Sequence, residues 1–160
     1  MRIFLFFALT MSLLSESVAG LHWTAPAGWK AGEPKPMRAA TYQVSDAECV
    51  VYFFGQGQGG GVQANIDRWK GQFSQPAAAK TGKRTIHGLP VTTVEIEGTY
   101  AGMAGPMGAP SAPKTGYRML GAIIENAGGN IFLKFTGPAK TIAANQGKFE
   151  QLLSSFDKDR

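Results

Sequence analysis

Cysteine is nearly absent from this sequence: Cys49 is the single one among 160 residues. An internal disulfide is therefore excluded, and the fold must be held by packing rather than by cross-links. Glu48 and Val50–Val51 flank the cysteine and place it in a strand. Because no histidine or lysine adjoins it to lower the pKa of the thiol, an inert buried thiol is favoured over a reactive one.

Histidine is also scarce, with His22 and His87 alone. A metal site needs three or four ligands at workable spacing, and neither histidine has a second histidine, a cysteine or paired carboxylates near it in sequence. No metal site is therefore predicted through histidine. The sequence has no G-x-S-x-G motif, so the alternative of a small envelope hydrolase is limited to a dyad of Cys49 and His87.

The methionines leave one weak alternative for metal binding. Met103 and Met107 lie in a Gly/Pro-rich stretch, where their soft thioethers, with Met37 or Met119, could hold Cu(I). Incidental loop or packing roles are commoner for such methionines. No catalytic, cofactor-binding or metal-ligating residue is therefore assigned from the sequence.

Apolar runs of membrane-spanning length are missing, but a shorter run opens the chain. Arg2 precedes an apolar stretch with no charge before residue 16, which is the pattern of a secretory signal. This run is shorter than the roughly 20 apolar residues of a spanning helix, so a retained anchor is disfavoured. The small residues Ser17 and Ala19 predict cleavage between Ala19 and Gly20. We therefore expect residues 1–19 to be a signal peptide and the mature protein to be exported, periplasmic or secreted, without a membrane span.

Acidic residues are outnumbered by basic ones, 11 to 16, which gives a net charge of +5. The basic residues are dispersed, and their one local cluster, Lys80, Lys83 and Arg84, is predicted to be a solvated loop. Trp69 lies between two basic residues but belongs to a buried helical face, so nucleic-acid binding is not predicted. Residues 20–160 are long enough for one domain, whose partner is expected to be an unknown protein or envelope component.

Hydrophobic periodicity predicts an α+β domain with the element order β-β-α-β-β-β-β-α. Short β-branched and aromatic runs predict an antiparallel sheet of about six strands, and two segments with apolar residues at helical spacing predict two flanking amphipathic helices. The predicted strands are Met37–Val44, Cys49–Phe54, two within Arg84–Tyr100, Tyr117–Glu125 and Ile131–Phe135; the predicted helices are Val62–Phe73 and Thr141–Phe156. The segment Ser74–Lys83 is predicted to be a loop.

Glycine is abundant in Gly55–Gly61, which contains the pattern G-x-G-x-x-G at Gly55, Gly57 and Gly60. A dinucleotide site needs this turn in a parallel βαβ unit, with an acidic residue about 20 positions later that this sequence lacks. A flexible loop is therefore favoured. Anion binding by free N–H groups at the start of the next helix is a minor alternative.

A second segment, Ala101–Gly116, is rich in glycine and proline. This composition cannot pack a core and predicts a mobile loop. Because recognition usually occurs on mobile loops of a rigid sheet, we expect the partner contacts in this loop, with Met103 and Met107, and in the Gly55–Gly61 turn.

Glu95 and Glu97 are the one pair of carboxylates on a common strand face. Their alternation with apolar residues predicts a solvated sheet face rather than an acid/base pair. Arg38, Arg68 and Arg118 are candidates to pair with these glutamates across the sheet, which would be a structural use.

The start Trp23-x-x-Pro26-x-x-Trp29, the order of strands and helices and the ending Leu152-Leu153-x-x-Phe156 resemble the PsbP-like superfamily of small α-β-α sandwich domains. The sequence also resembles uncharacterised exported bacterial proteins that carry segments similar to Asn65-Ile66-x-Arg68-Trp69-x-x-Gln72-Phe73. The resemblance implies a fold and a non-enzymatic accessory or binding role, and it transfers no catalytic residue and no cofactor. The sequence thus favours an exported, non-catalytic binding protein, with the hydrolase and the Cu(I) site as alternatives.

Overall fold

A computed structural model describes residues 15–74, 78–102 and 112–160. The helices and strands in chain order are β1 Ser15–Val18, β2 Leu21–Thr24, β3 Lys30–Ala31, β4 Arg38–Val44, β5 Ala47–Tyr52, α1 Val62–Gly71, β6 Phe73–Ser74, β7 Lys80–Ile86, β8 Leu89–Tyr100, β9 Lys114–Ile124, β10 Ile131–Pro138, α2 Ala139–Ala144, α3 Gln146–Ser154 and β11 Asp157–Lys158. No helix in these ranges is long and apolar enough to cross a bilayer.

Eight of the strands form one antiparallel sheet. Its order is β3-β4-β5-β10-β9-β8-β6, and β7 also pairs with β8. A small second sheet has the order β1-β2-β11. Because β10 lies between β5 and β9, its run Ile131–Phe135 is buried on both faces of the large sheet.

Helices α2 and α3 cover one face of the large sheet and enclose the larger hydrophobic cluster. In it the ring of Trp23 stacks on Phe156, with centroids 4.9 Å apart. The indole Nε1 of Trp23 donates a hydrogen bond of 2.9 Å to the hydroxyl of Tyr42. A buried indole needs such a partner, and this bond joins the small sheet to the large one.

Helix α1 covers part of the opposite face with a smaller hydrophobic cluster, to which it contributes Ile66 and Trp69. Gly121 of β9 allows this close approach, because a Cβ atom there would lie 2.6 Å from Cζ3 of Trp69. The predicted apolar face is thus confirmed for Ile66 and Trp69, but the predicted end of the helix at Phe73 is wrong, because Phe73 lies in β6. The remainder of this sheet face, beyond the end of α1, is where the candidate site lies.

The predicted α+β class and antiparallel pairing are confirmed, but the predicted counts of six strands and two helices are wrong. Strands of two residues, such as β3 and β6, are too short to show periodicity, and their pairing depends on the neighbouring long strand. The last predicted helix is two helices, because the backbone leaves helical geometry at Asn145, with φ −111° and ψ 8°. The apolar residues that suggested this helix by their spacing are nevertheless all buried: Ile142, Phe149, Leu152, Leu153 and Phe156.

Two predicted loops are shorter in the structure. The predicted loop Ser74–Lys83 is wrong at both ends, because Ser74 belongs to β6 and β7 begins at Lys80. The basic cluster predicted to be a loop therefore lies, exposed, on a strand. The predicted loop Ala101–Gly116 is likewise wrong at its end, since β9 begins at Lys114, which is the partner of Tyr100. Cross-strand pairing extends these strands into segments whose own composition does not favour them.

Residues 15–24 form a tight hairpin of β1 and β2. Ala19 and Gly20 have φ of 55° and 75°, as a two-residue turn between twisted strands requires. The carbonyl oxygen of Ala19 accepts a hydrogen bond of 3.0 Å from Asn126. The predicted cleavage point between Ala19 and Gly20 lies in this turn, whereas residues 1–14 of the predicted signal lie outside the described ranges.

Of the three arginines predicted to pair with Glu95 and Glu97 across the sheet, Arg118 does so. It contacts Glu95 at 2.5 Å and Glu97 at 3.2 Å. The other two arginines do not join this group: Arg38 pairs with Glu48, and Arg68 hydrogen-bonds to a residue of its own helix. The two glutamates are thus ion-paired with one shared arginine.

Candidate functional site

Cys49 and His87 are not brought together by the fold. Cys49 is completely buried in the larger cluster, and burial raises the pKa of its thiol. His87 lies in the turn between β7 and β8, where its Nδ1 is 2.7 Å from the carbonyl oxygen of Phe156. A buried, protonated thiol is a poor nucleophile, so the geometry gives the hydrolase alternative no support.

The soft ligands considered for Cu(I) lie in different surroundings. The side chain of Met37 is 66% exposed, and Met119 is fully buried in the cluster beneath α1. Met103 and Met107, the candidates in the predicted mobile loop, lie outside the described residues. Within the described ranges, no three His, Cys, Asp or Glu side chains are grouped as metal ligands.

The Gly55–Gly61 turn is a loop held by hydrogen bonds beside the turn between β9 and β10. Gly55, Gly57 and Gly60 have φ of 107°, 70° and 79°, a region that favours glycine. Gln56 donates a hydrogen bond of 3.0 Å to the carbonyl oxygen of Ala127. The preceding strand β5 has antiparallel neighbours, so the parallel βαβ unit of a dinucleotide site is absent from the described sheet.

At the opposite end of β10 lies a pocket that the sequence did not predict. This lysine pocket has a volume of about 470 Å³ and is open to solvent. It occupies the part of the sheet face that α1 leaves uncovered. Its charged and aromatic lining residues are three cations, three tyrosines and two carboxylates: Arg38, Lys114, Lys134, Tyr52, Tyr100, Tyr117, Asp46 and Glu48.

Lys134 of β10 forms the base of the lysine pocket and is only 8% exposed. Its ammonium donates hydrogen bonds to Oε1 of Gln72 and, at 2.9 Å, to the hydroxyl of Tyr100. Both acceptors are neutral groups. Burial, with a smaller contribution from the nearby charge of Arg38, lowers the pKa of Lys134 to about 8, while Glu48 acts in the opposite sense.

Each cation of the lysine pocket lies over a tyrosine ring. Arg38 is 5.6 Å from the ring centroid of Tyr52, and Lys134 is 5.1 Å from that of Tyr100. Lys114 is 5.5 Å from the centroid of a third ring, that of Tyr117. Such contacts stabilise a cation without neutralising it, so the pocket keeps its positive charge.

Burial also keeps Tyr52 and Tyr100 in their neutral form. Desolvation raises the pKa of Tyr100 to about 12, with smaller contributions from nearby charges. The pKa of Tyr52 is raised as well, again by desolvation first. The phenols therefore stay protonated at neutral pH and offer hydroxyl groups and flat rings, not negative charge.

The lysine pocket also lies where the chain leaves the sheet after Tyr100 of β8 and returns to it at Lys114 of β9. Tyr100 and Lys114 are paired on β8 and β9, and both line the pocket. The backbone N–H groups of Ala101 and Gly102 donate to the carbonyl oxygen of Gln72, whose side chain holds Lys134. The described ends of the predicted contact segment 101–116, beside Tyr100 and Lys114, and the Gly55–Gly61 turn thus lie at opposite ends of β10.

One signal in the sequence could have indicated the lysine pocket. Lys134 interrupts the apolar run Ile131–Phe135, which was predicted as a strand. A lysine within such a run needs an opening in the covering layer or a specific set of partners. The tyrosines gave no comparable signal, since they come from three separate strands.

Comparisons with known proteins agree on the fold. No protein-family model matches the sequence, and no curated protein matches it significantly. The solution structure of CyanoP, the cyanobacterial PsbP from Synechocystis sp. PCC 6803, matches with a TM-score of 0.59 at 15% identity, over 92% of each chain. A crystal structure from Bacteroides thetaiotaomicron VPI-5482 matches with a TM-score of 0.54 at 10% identity, over 88% of this chain and 46% of that chain. The predicted PsbP-like fold is confirmed, and at these identities the likeness concerns the fold alone.

Proposed function

We propose that this chain is an exported, non-catalytic accessory protein that binds its partner through the lysine pocket and the segment 101–113 beside it. The observation that carries the proposal is Lys134, a buried cation at the base of an open pocket. Burying a charge is unfavourable, and proteins retain such groups most often where they bind something. The PsbP-like fold is consistent with an accessory role.

The position of the pocket supports recognition rather than catalysis. Its lining has no serine or cysteine hydrogen-bonded to a histidine, among the residues that the structure describes. It does combine a rigid sheet with the two fixed ends of a long connection. A rigid scaffold that carries a connecting segment at its edge is a common arrangement for binding sites.

Site-specific photo-crosslinking tests the proposed binding surface. A benzophenone amino acid would replace Lys114, at the pocket, or Lys83, a lysine on β7 that is also exposed. The full chain, expressed in its native host, should give a discrete covalent adduct from position 114 and none from position 83. Adducts of the same size and yield from both positions, or none from position 114, would contradict the proposal.

Thiol labelling separates a binding protein from the hydrolase alternative. Because Cys49 is fully buried and its thiol pKa is raised, we expect no reaction of the native protein with a chromogenic disulfide reagent over minutes at pH 8. One thiol per chain should react at once in urea. Fast labelling of the native protein that a His87→Ala substitution slows would instead support the hydrolase alternative.

A further inference from the structure

Lys134 is a buried cation that forms no ion pair with an acidic residue of the chain. All 11 acidic residues of the sequence fall within the described ranges, and none of them forms an ion pair with Lys134. The segment 101–113, which joins Tyr100 to Lys114 of the pocket lining, has no charged residue. That segment therefore cannot provide the missing negative charge from within the protein.

The wider lining of the lysine pocket has the same imbalance. Arg38, Lys114 and Lys134 are opposed by Asp46 and Glu48, which leaves one positive charge. Glu48 is already 3.0 Å from Arg38. The excess thus matches a single negative charge on a ligand, whereas a dianion such as phosphate would exceed it.

The ammonium of Lys134 also has a donor to spare. It carries three N–H groups, and two of them reach the side chains of Gln72 and Tyr100. A hydrogen bond between a cation and a carboxylate oxygen is about twice as strong as a neutral one. One carboxylate oxygen would therefore satisfy the third N–H and the charge together.

Tyrosine rings supply the apolar part of the lysine pocket. Tyr100 and Tyr117 are stacked with centroids 5.9 Å apart and planes inclined by 6°, and Tyr52 lies on the same sheet face. Flat rings pack well against other flat rings. A volume of about 470 Å³ is within the range of sites for small molecules.

We propose that the lysine pocket binds the carboxylate of a small aromatic acid, with the carboxylate on Lys134 and the ring against the tyrosines. This inference rests on the proposed function, because it names the ligand class of the same site. The carboxylate would form the ion pair that Lys134 lacks within the protein. The ring would add specificity, because it packs against the tyrosines.

Titration calorimetry with two matched probes tests the ligand class. Benzoate and benzamide have the same ring and similar size, but only benzoate is charged at pH 7. Benzoate should bind at least about tenfold more tightly than benzamide, which is the effect of one charge-assisted hydrogen bond. Acetate tests the need for the ring and inorganic phosphate tests the preference for a monoanion, and both should bind more weakly than benzoate.

Two variants and the pH dependence of binding test whether Lys134 is the group that binds benzoate. Lys134→Met should weaken benzoate binding at least about tenfold, and Lys83→Met should leave it unchanged. In the unaltered protein, benzoate should bind more weakly at pH 10 than at pH 7, and at pH 8.5 binding should take up protons. This last measurement needs no variant, so the inference stays testable if Lys134→Met fails to fold.

Several results would overturn the inference. They are equal binding of benzoate and benzamide, stronger binding of phosphate than of benzoate, no detectable benzoate binding, or a benzoate affinity independent of both Lys134 and pH. If position 114 still crosslinks to a partner, the proposed binding surface stands and only the ligand class is wrong. If benzoate binds as expected but no crosslink forms, the ligand class stands and the accessory role is wrong.

Discussion

Lys134 shows how one side chain can make the stability of a whole domain depend on pH. Its pKa falls from an ordinary 10.5 to about 8 because its ammonium is buried. Between these two values the unfolded chain binds a proton that the folded chain does not. Stability therefore rises with pH across this window, and below pH 8 the folded state carries the full penalty of the buried charge.

Replacing Lys134 by Met, of similar length, should remove this pH dependence. At pH 7 the variant should gain stability relative to the unaltered protein, and the difference should shrink by about 2 kcal/mol by pH 10. Urea unfolding at both pH values measures it, with Lys83→Met as the exposed control. A difference that stays constant with pH would show that the Lys134 ammonium is not destabilised by burial.

Gly121 and Gly147 make a matched pair for the packing beneath α1. An alanine Cβ at Gly121 would lie 2.6 Å from Trp69 and 2.8 Å from Val94, whereas one at Gly147 would meet nothing within 4 Å. Gly121→Ala should cost about 1–3 kcal/mol through overpacking, and Gly147→Ala should add about 0.5 kcal/mol through helix propensity. Chemical denaturation measures both, and equal effects would contradict this account of α1.

Among the elements, β1 is the one that the predicted processing would remove. Its four residues pair with β2, and Glu16 lies 3.4 Å from the hydroxyl of Tyr42. A chain that begins at Ser15 should therefore be more stable than one that begins at Gly20, by about 1–2 kcal/mol. Urea unfolding of the two chains decides whether β1 contributes to the fold.

N-terminal sequencing of the exported protein complements that comparison. The sequence predicts Gly20 as the first residue of the mature chain. A first residue at or before Ser15 would instead show that β1 is retained and that the predicted cleavage point is wrong. Equal stability of the two chains would show that β1 contributes nothing measurable.

Elements with strong periodicity could be predicted from the sequence, and those defined by their neighbours could not. The inner face of α1 and the hairpin after Ile124 follow from apolar spacing and from a Gly-rich turn. The start of β9 at Lys114 depends on its pairing with Tyr100, a tertiary contact that no local pattern records. The lysine pocket escaped prediction for the same reason, because its tyrosines converge only when β5, β8 and β9 are in register.

At the scale of the whole molecule, the two faces of the large sheet have unequal cores. Helix α3 packs on the larger cluster, with Phe149 and Leu152 buried, whereas α1 packs on the smaller one through Ile66 and Trp69. Local opening is easiest where the least apolar surface is buried.

Native-state hydrogen exchange should therefore show α1 opening at lower free energy than α3. The amides of β10, at the centre of the sheet, should exchange only by global unfolding. Mass spectrometry of peptides from each element makes the comparison in one experiment. Equal protection of α1 and α3 would mean that the domain opens as one cooperative unit.

The small sheet of β1, β2 and β11 brings the two ends of the domain together. Asp159 donates its backbone N–H to the carbonyl oxygen of Gly20 at 2.9 Å, and its carboxylate lies 2.9 Å from His22. This sheet joins the α2–α3 layer, whereas the lysine pocket opens on the opposite face. A tether attached beside either end, whether a surface, a bead or a fused protein, would hold the domain with its pocket turned away from the support.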